Sequence, residues 1–306
     1  MKILVTGANG FVGSQVARVL LQGGHELRAS VRQHSALDAV EDVATRIEWV
    51  PIDLFDSDPD ALAGLTRGVE VCIHLAWYAV PGQYLASPEN LRCVTGSLRL
   101  LESLAEAGCR RAVFVGSCFE YDFEPGTLAE MGPVRPQSLY AASKLATSLM
   151  GEQLARLRNV GFVWARLFYL YGPFEDGRRL VPSVIDSLLS GQSVDVTKGT
   201  QVRDFLHVAD VGAALAAIAL SDMTGVVNVG AGRPVTVREV VGTIESQIGR
   251  EGLVRFGARP ENPTDPPIVV ADNRRLVEGT GWSPVYDLVS GLRQTIDWSK
   301  ARHATR

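Results

Sequence analysis

The stretch from Lys2 to Gly13, KILVTGANGFVG, carries three glycines at the end of a short apolar run. Lys2–Thr6 is typical of a buried strand, and Phe11–Gln22 has the apolar spacing of a helix. Glycine permits a tight turn between two such elements and lets backbone N–H groups approach a pyrophosphate at the positive end of the helix. The spacing is GxxGxxG, and its place between strand and helix favours a dinucleotide-binding turn over a plain βα turn. The candidate cofactor contacts in it are Gly7, Asn9, Gly10, Phe11, Val12 and Gly13.

Beyond this turn, short apolar runs alternate with amphipathic stretches as far as Pro173. Such alternation, with strands that are apolar throughout, is typical of a parallel sheet covered by helices on both faces. The predicted fold class is therefore α/β, with a doubly wound parallel Rossmann sheet. The remaining strands are predicted over Glu26–Val31, Ile47–Ile52, Val69–Leu75, Arg111–Gly116 and Gly161–Leu167, and the long helices over Glu89–Ala107 and Ser138–Leu157.

The pattern changes after Pro173, where glycine and proline become denser and the elements shorter. We therefore expect residues 1–172 to form the dinucleotide-binding domain and residues 173–306 to form a smaller C-terminal substrate-binding lobe. A segment of about residues 203–230 is expected to return to the main sheet, with Val226–Val229 as its strand. Helices are predicted over Val181–Leu189, Val208–Leu220 and Thr236–Ile248, and the proline-rich Ala258–Pro267 is predicted to be an ordered loop.

The composition is that of an ordinary globular protein. Of 306 residues, 46% are hydrophobic and 21% are charged, with a formal net charge of −4 and no basic block. Nucleic acid is not an expected partner, because its phosphates need clustered Lys and Arg. No leader and no membrane contact are expected, since no apolar run approaches the roughly 18 residues of a membrane span. The four cysteines lack metal-ligand spacing, so we expect no metal, buried thiols at Cys72 and Cys109, and a cytoplasmic location.

The end of the second strand bears on the choice of coenzyme. An acidic residue there would bind the ribose 2′-hydroxyl of NAD and repel the 2′-phosphate of NADP. The chain has instead Ser30 and Arg32, both of which can donate to a phosphate. NADP is therefore favoured over NAD, although Arg32 could also stack on adenine or face solvent. Asp53, followed by Leu54, comes after the third strand and is a candidate for the adenine amino group or for a loop cap.

A tyrosine and a lysine lie four residues apart on the helix predicted over Ser138–Leu157. This spacing puts Tyr140 and Lys144 on one helix face, where a cation lowers the pKa of a phenol. Tyr140 is then a candidate general acid and base. Ser117 ends the fifth strand, at the sheet edge where active sites collect, and could hold a carbonyl or alcohol oxygen. Ser117, Tyr140 and Lys144 are the predicted catalytic set, with Tyr140 and Lys144 also against the cofactor.

Together these residues resemble the extended short-chain dehydrogenase/reductase family, also called the NAD-dependent epimerase/dehydratase family. The resemblance covers nearly the whole chain and includes His74-Leu75-Ala76, Ser117-x-x-x-Tyr121, the segment from Arg166 to Pro173, and Arg203-Asp204-Phe205 with His207 and Asp210. It implies that Leu75 and Ala76 lie beside the cofactor, that Arg203 contacts the diphosphate of a nucleotide sugar, and that the two long helices form a homodimer. The nearest type is the CDP-paratose and CDP-abequose synthase, a 4-ketoreductase.

Several positions depart from the pattern of this family. The 4,6-dehydratases carry Asp-Glu after the catalytic hydroxyl residue, and this chain has Cys118-Phe119 there, so dehydration is not expected. Tyr169 and Cys93 each replace a usual asparagine. A late arginine of the family is lost in the stretch Asn262–Asp265. Either Arg259 takes over its contact with the diphosphate, or the substrate is not a standard sugar nucleotide.

The remaining candidate substrate contacts are mostly aromatic. Trp77 and Tyr78, with Tyr84 nearby, follow the fourth strand and could floor the substrate pocket or pack as loop aromatics. Cys118 is a candidate base or, more simply, a thiol that lines the pocket. The predicted substrate-binding residues are Trp77, Tyr78, Cys118, Phe119, Tyr169, Arg203 and Arg259.

The leading hypothesis is an NADPH-dependent reductase of a keto group at C4 of a nucleotide-linked deoxy sugar. In it Tyr140 protonates the oxygen, Ser117 holds that oxygen, and Lys144 binds the nicotinamide ribose. The alternatives are a nucleotide-sugar 4-epimerase with tightly bound NAD and a reductase of a non-sugar carbonyl. An alternative from another class, a cofactor-binding sensor without turnover, is disfavoured because both Tyr140 and Lys144 are present.

Overall fold

Seven parallel strands form the main sheet of the computed structural model, which describes residues 1–304. The strands of the chain are β1 (Lys2–Thr6), β2 (Glu26–Val31), β3 (Ile47–Pro51), β4 (Val71–His74), β5 (Arg111–Ser117), β6 (Thr127–Leu128), β7 (Gly161–Leu167), β8 (Tyr169–Tyr171), β9 (Val194–Val196), β10 (Val202–Arg203), β11 (Phe205–His207), β12 (Gly225–Val229), β13 (Val235–Thr236), β14 (Val254–Phe256) and β15 (Ile268–Ala271). The main sheet has the order β12-β7-β5-β4-β1-β2-β3. The order reverses beside β1, which puts the carboxyl ends of β1 and β4 at the crevice where ligands bind in such sheets.

Helices cover both faces of this sheet. They are α1 (Phe11–Gln22), α2 (Pro59–Thr66), α3 (Glu89–Glu106), α4 (Leu139–Arg158), α5 (Leu180–Leu189), α6 (Val208–Leu220), α7 (Val237–Ile248), α8 (Arg274–Thr280) and α9 (Leu288–Ala304). Alternate side chains of β1 point to opposite faces, so Ile3 packs in one core with Leu215 of α6, whereas Leu4 packs in another with Leu100 of α3. The α/β fold class with a parallel, doubly wound sheet is confirmed.

Two elements from the second half of the chain pack with the first half. Helix α6 packs against α1, and β12 pairs in parallel with β7, with Val227 opposite Ala165. Helices α5, α7 and α9 enclose a separate apolar cluster that includes Ile185, Val241 and Leu292. The division into a domain of residues 1–172 and a lobe of residues 173–306 stays a prediction.

Three helices were not predicted from the sequence, namely α2, α8 and α9. Helices α2 and α8 have only 8 and 7 residues, too few to show a clear period. No helix within residues 1–304 combines the length and the apolar character that crossing a membrane requires.

Candidate active site

The turn between β1 and α1 is built so closely that only glycine fits. A Cβ at position 13 would lie 2.0 Å from the Gly7 carbonyl oxygen, and Gly7 itself has a φ of 70°. Helix α1 begins after Gly10, and no side chain in the described part of the chain caps its first N–H groups. These unpaired donors at a helix N-terminus are suited to a pyrophosphate, so the turn fits the dinucleotide that its sequence predicts.

A buried histidine connects this turn to the end of β4. The His74 ring lies 2.7 Å from Thr6 Oγ1 and 2.8 Å from Ser97 Oγ. Thr6 Oγ1 also accepts hydrogen bonds from the N–H groups of Leu75 and Ala76. Burial, with a smaller effect of the Lys144 charge, lowers the pKa of His74 to about 3. The ring is therefore a neutral structural link that fixes the segment after β4 against the glycine turn.

The three predicted catalytic residues meet at the carboxyl end of β5. Ser117 is the last residue of β5, and Tyr140 and Lys144 lie on the first turns of α4, which Ser138 caps through a 3.2 Å bond from Ala141 N. The Nζ of Lys144 donates to the Val115 carbonyl oxygen at 2.8 Å. All three of these side chains line the same cavity as the glycine turn.

Burial has the largest effect on the pKa values of Tyr140 and Lys144. It raises the pKa of Tyr140, with Tyr84 adding to the rise and the Ser117 side chain opposing it. Burial also lowers the pKa of Lys144 to about 7, with Glu120 opposing the fall. The expectation that Lys144 lowers the pKa of Tyr140 is not met in this structure. The reason is that Lys144 Nζ faces the Val115 carbonyl and the Trp77 ring and lies 5.9 Å from the centre of the Tyr140 ring.

The cavity has a volume of about 700 Å³ and extends from the glycine turn past Tyr140 to Arg203. Of the residues predicted from the sequence, the structure brings together along its wall Gly7, Gly10, Phe11, Val12, Gly13, Leu75, Trp77, Ser117, Cys118, Phe119, Tyr140, Lys144, Tyr169 and Arg203. The predicted residues that do not line it are Asn9, Ser30, Arg32, Asp53, Leu54, Ala76, Tyr78 and Arg259.

Residues 3–230 of the chain match the model of the NAD dependent epimerase/dehydratase family. This chain belongs to that family. The UDP-glucose 4-epimerase of Streptomyces lividans is 30% identical over 307 residues, covering 92% of this chain and 91% of that enzyme. The corresponding enzyme of Azospirillum brasilense is 28% identical over 325 residues, covering 98% and 92%. The structure of MoeE5 in complex with UDP-glucose and NAD is 29% identical, with a TM-score of 0.85, and the alignment covers 99% of this chain and 100% of that chain. The protein is thus an enzyme of the extended short-chain dehydrogenase/reductase type.

The remaining residues that the sequence predicts to contact the coenzyme lie outside the cavity wall. Arg32 is exposed just after β2, and Ser30 is buried within that strand. Asn9 donates through Nδ2 to the Ala36 carbonyl oxygen at 3.0 Å. Asp53 accepts from Phe55 N at 3.1 Å, which is the loop-capping arrangement, while Leu54 is buried in the core.

Two predicted substrate contacts, Tyr78 and Arg259, do not line the cavity. The Tyr78 hydroxyl donates a hydrogen bond to Gln83 Oε1 at 2.8 Å, so this side chain is bonded within its own loop. Arg259 follows β14 and has an exposed side chain, and its backbone N–H donates to Val196 O at 3.1 Å. Arg259 therefore does not replace the lost late arginine in this structure.

The stretch that lacks the late arginine instead brings an acid, Asp265, to Arg203. Arg203 Nη2 lies 2.7 Å from Asp265 Oδ1, and the guanidinium of Arg203 is 5.3 Å from the centre of the Tyr169 ring. A second arginine in the cavity wall, Arg179, was missed in the sequence, and its guanidinium lies 5.2 Å from the centre of the Tyr84 ring. In the sequence, the pair Arg178-Arg179 before α5 was the one feature that could have pointed to it. The substrate end thus offers two guanidinium groups, of which one is paired with a carboxylate.

Cys118 lines the cavity beside Ser117, the predicted catalytic serine. It is 3% exposed, and burial raises the pKa of its thiol to about 12, with Glu120 and Asp204 adding to the rise. A thiol that keeps its proton is a poor base, so the structure favours the pocket-lining role. With Phe119 next to it, the position offers no carboxylate for a dehydration.

Glu120 was also missed in the sequence. It is fully buried under Ser117, and its carboxylate accepts hydrogen bonds from Ser117 N, Trp164 Nε1 and Arg166 Nε at 2.8, 3.0 and 2.7 Å. A usable signal was present, because Ser117-x-x-Glu120 has the spacing of a capping box, and the structure forms that box.

Proposed function

We propose that this enzyme reduces a keto group at C4 of a nucleotide-linked deoxy sugar with NADPH. The observation that carries the proposal is the composition of one cavity wall. Tyr140, Lys144 and Ser117 lie between the glycine turn at one end and Arg203 at the other. We infer that the coenzyme binds at the glycine turn and a diphosphate-linked sugar at the Arg203 end, with Ser117, Tyr140 and Lys144 between them.

The side chains are arranged for proton donation. When bound, the coenzyme would supply the hydride. Burial raises the pKa of Tyr140, which keeps the phenol protonated, and a protonated phenol is the form that donates to a carbonyl oxygen. Ser117 ends β5 beside it and can hold the same oxygen by a hydrogen bond. Lys144, on the same helix face as Tyr140, is placed to bind the nicotinamide ribose.

Arginine side chains support the choice of NADPH as coenzyme and of a nucleotide sugar as substrate. Arg32 lies exposed at the end of β2, and no acidic residue follows that strand before Asp38, so a 2′-phosphate meets a cation instead of a carboxylate. At the other end, Arg179 and Arg203 are the guanidinium groups that would bind the diphosphate. Asp265 reduces the net charge at Arg203, and for this reason a non-sugar carbonyl remains an alternative substrate.

The test is to incubate purified protein with NADPH or NADH and a panel of 4-keto-6-deoxy sugar nucleotides, following absorbance of the reduced coenzyme. We expect oxidation of NADPH with at least one sugar, and a lower rate with NADH. Absence of oxidation with every sugar, in a preparation that binds the coenzyme, would count decisively against the proposal.

A second candidate, nucleotide-sugar 4-epimerisation, is favoured by the full-length likeness to UDP-glucose 4-epimerases. Aromatic side chains line the cavity at Trp77, Tyr84 and Tyr169, and rings of this kind can pack against either face of a sugar. Interconversion of UDP-glucose and UDP-galactose with catalytic NAD, and no net change in reduced coenzyme, would establish this reaction instead.

We also propose that the enzyme is a homodimer. Helices α3 and α4 pack side by side, and they leave apolar side chains in solvent at Leu91, Leu149, Met150 and Leu157. Exposed apolar side chains on two adjacent helices are suited to packing against the same helices of a second copy. Light scattering after gel filtration should give twice the chain mass, and Leu149→Glu with Met150→Glu should give the monomer.

A further inference from the structure

The carboxylate of Glu120 lies beneath the catalytic serine in a space made for it. A Cβ at position 116 would lie 2.5 Å from Glu120 Oε1 and 2.2 Å from Trp164 Nε1. Only glycine at 116 lets these two side chains approach the back of β5. The fold can accommodate this acid because residue 116 of β5 is a glycine and has no side chain.

Every contact to the Glu120 oxygens that the hydrogen bonds show comes from an N–H donor. Oε1 accepts from Ser117 N, both oxygens lie 3.0 Å from Trp164 Nε1, and Oε2 accepts from Arg166 Nε. Burial raises the pKa of Glu120, and Arg166 and the other donors oppose the rise. A protonated acid would need an acceptor for its O–H, whereas a carboxylate satisfies all of these donors, so the ionised form matches the site.

The same indole connects Glu120 with the catalytic lysine. The Trp164 ring centre lies 6.0 Å from Lys144 Nζ, and its N–H is bonded to Glu120. Within residues 1–304, Glu120 is the main charged group that raises the pKa of Lys144, with the Cys93 thiol of α3 second. The other titratable neighbours are Tyr140, on the same helix, and His74 of β4.

We propose that Glu120 is a positioning residue, whose buried carboxylate holds Ser117 at the end of β5 and supplies the negative charge that balances the Lys144 ammonium group. It acts through these two residues and does not line the cavity itself. The inference deepens the proposed function, because it concerns the same catalytic set. Arg166 completes the arrangement, since its guanidinium pairs with Glu120 and lies 4.2 Å from the centre of the Tyr121 ring.

The first test follows the titration of Lys144 directly and needs no substrate. The chain has four lysines, so the ¹³Cε resonances of a lysine-labelled sample can be assigned with Lys144→Met as the reference. We expect Glu120→Gln, which keeps the shape and loses the charge, to lower the Lys144 midpoint by about one pH unit. Glu130→Gln is the matched control, because this partly buried acid bonds Asn228 N, and it should leave the midpoint in place. An unchanged midpoint in folded Glu120→Gln overturns the charge-balancing role.

The second test separates positioning from stability. In Glu120→Gln we expect kcat to fall by about tenfold or more with a displaced pH profile, and coenzyme affinity to stay within about threefold of wild type. A variant that is less stable but keeps the wild-type kcat and pH profile would show a purely structural role. Should Glu120→Gln fail to fold, Glu120→Asp withdraws the carboxylate by one methylene. It should lower kcat while shifting the Lys144 midpoint less, and a wild-type kcat there overturns the positioning role.

The two proposals fail in different ways. If no sugar nucleotide is turned over but the Lys144 midpoint falls in Glu120→Gln, the proposed function is wrong and the charge-balancing role stands. If turnover is normal in the wild type and the midpoint does not move, the inference is wrong and the proposed function stands.

Discussion

The Nζ of Lys144 lies 3.7 Å from the centre of the Trp77 ring. The Tyr140 ring centre is farther from it, at 5.9 Å. A cation over an indole is stabilised by the negative face of the ring, and the contact is lost when the amine is neutral. Since burial brings the pKa of Lys144 to about 7, the charge on this nitrogen changes near neutral pH. Stability and catalysis should both reflect that change.

The pH dependence of stability is the first prediction. The pKa of Lys144 falls from 10.5 to about 7 on folding, so between these values the unfolded chain binds more protons and the fold becomes more stable as pH rises. Between about pH 7 and about pH 9, the wild type should gain about 2 kcal/mol relative to Lys144→Met. Urea unfolding at a series of pH values measures it, with the exposed Lys300→Met as control. Parallel curves for wild type and Lys144→Met would contradict the pKa.

Replacement of the phenol is the second prediction. Tyr140→Phe removes the proton donor and keeps the ring that packs edge-on against Tyr84, at 4.8 Å between centres. We expect kcat to fall by about 10²- to 10⁴-fold, while coenzyme affinity changes little. Steady-state rates and fluorescence titration with NADPH measure the two quantities. A rate within a few-fold of wild type would exclude Tyr140 as the acid.

Coenzyme selection is the third prediction. Arg32→Ala should weaken NADPH binding by about tenfold or more, because a charge-assisted hydrogen bond to the 2′-phosphate is lost. NADH binding should change far less. The control is Arg250→Ala, since Arg250 is equally exposed but lies after α7. If both coenzymes lose affinity equally, Arg32 stacks on the adenine instead.

The fourth prediction concerns Glu175, an acid in the cavity wall that the proposed mechanism does not use. Its Oε2 is buried without a hydrogen-bond partner within residues 1–304, and burial raises its pKa to about 8, with Arg179 opposing. Between 4.5 and that value the folded chain binds more protons than the unfolded chain, so this group makes the fold less stable as pH rises. Glu175→Gln should therefore be stabilised relative to wild type by about 3 kcal/mol more at about pH 8 than at about pH 5.

Thermal unfolding of both proteins at the two pH values checks this. Glu278→Gln, an exposed acid on α8, is the control and should show no such difference. A stability difference between wild type and Glu175→Gln that is the same at both pH values would show that Glu175 titrates normally.

The fold was predictable because most strands of the main sheet are largely apolar and alternate with helical stretches along the chain. The glycine turn and the Tyr140–Lys144 pair were predictable for a related reason, since their chemistry depends on short, fixed spacings. The short helices α2 and α8 and the pairing of β6 with β15 were not, because contacts between distant segments decide them.

The substrate end was less predictable from the sequence. Arg259 and Tyr78 carry suitable groups, but their position depends on how β14 and the loop after β4 pack, and neither lines the cavity in the structure. Arg28, which makes the end of β2 basic in the sequence, is buried and donates to the Leu65 and Arg67 carbonyl oxygens, so it supplies no charge to a coenzyme. Arg179 was missed because only the three-dimensional fold brings α5 to the catalytic face.

The acid beneath Ser117 also limits how this enzyme could have diverged from its dehydratase relatives. The substitutions Cys118→Asp and Phe119→Glu would place two more carboxyl groups around Ser117, which already has the Glu120 carboxylate buried below it. Close acids in a dry pocket cannot all ionise, so the new pair would hold protons it needs to exchange. We therefore expect Cys118→Asp with Phe119→Glu to leave the new carboxyl groups with raised pKa values as long as Glu120 is present.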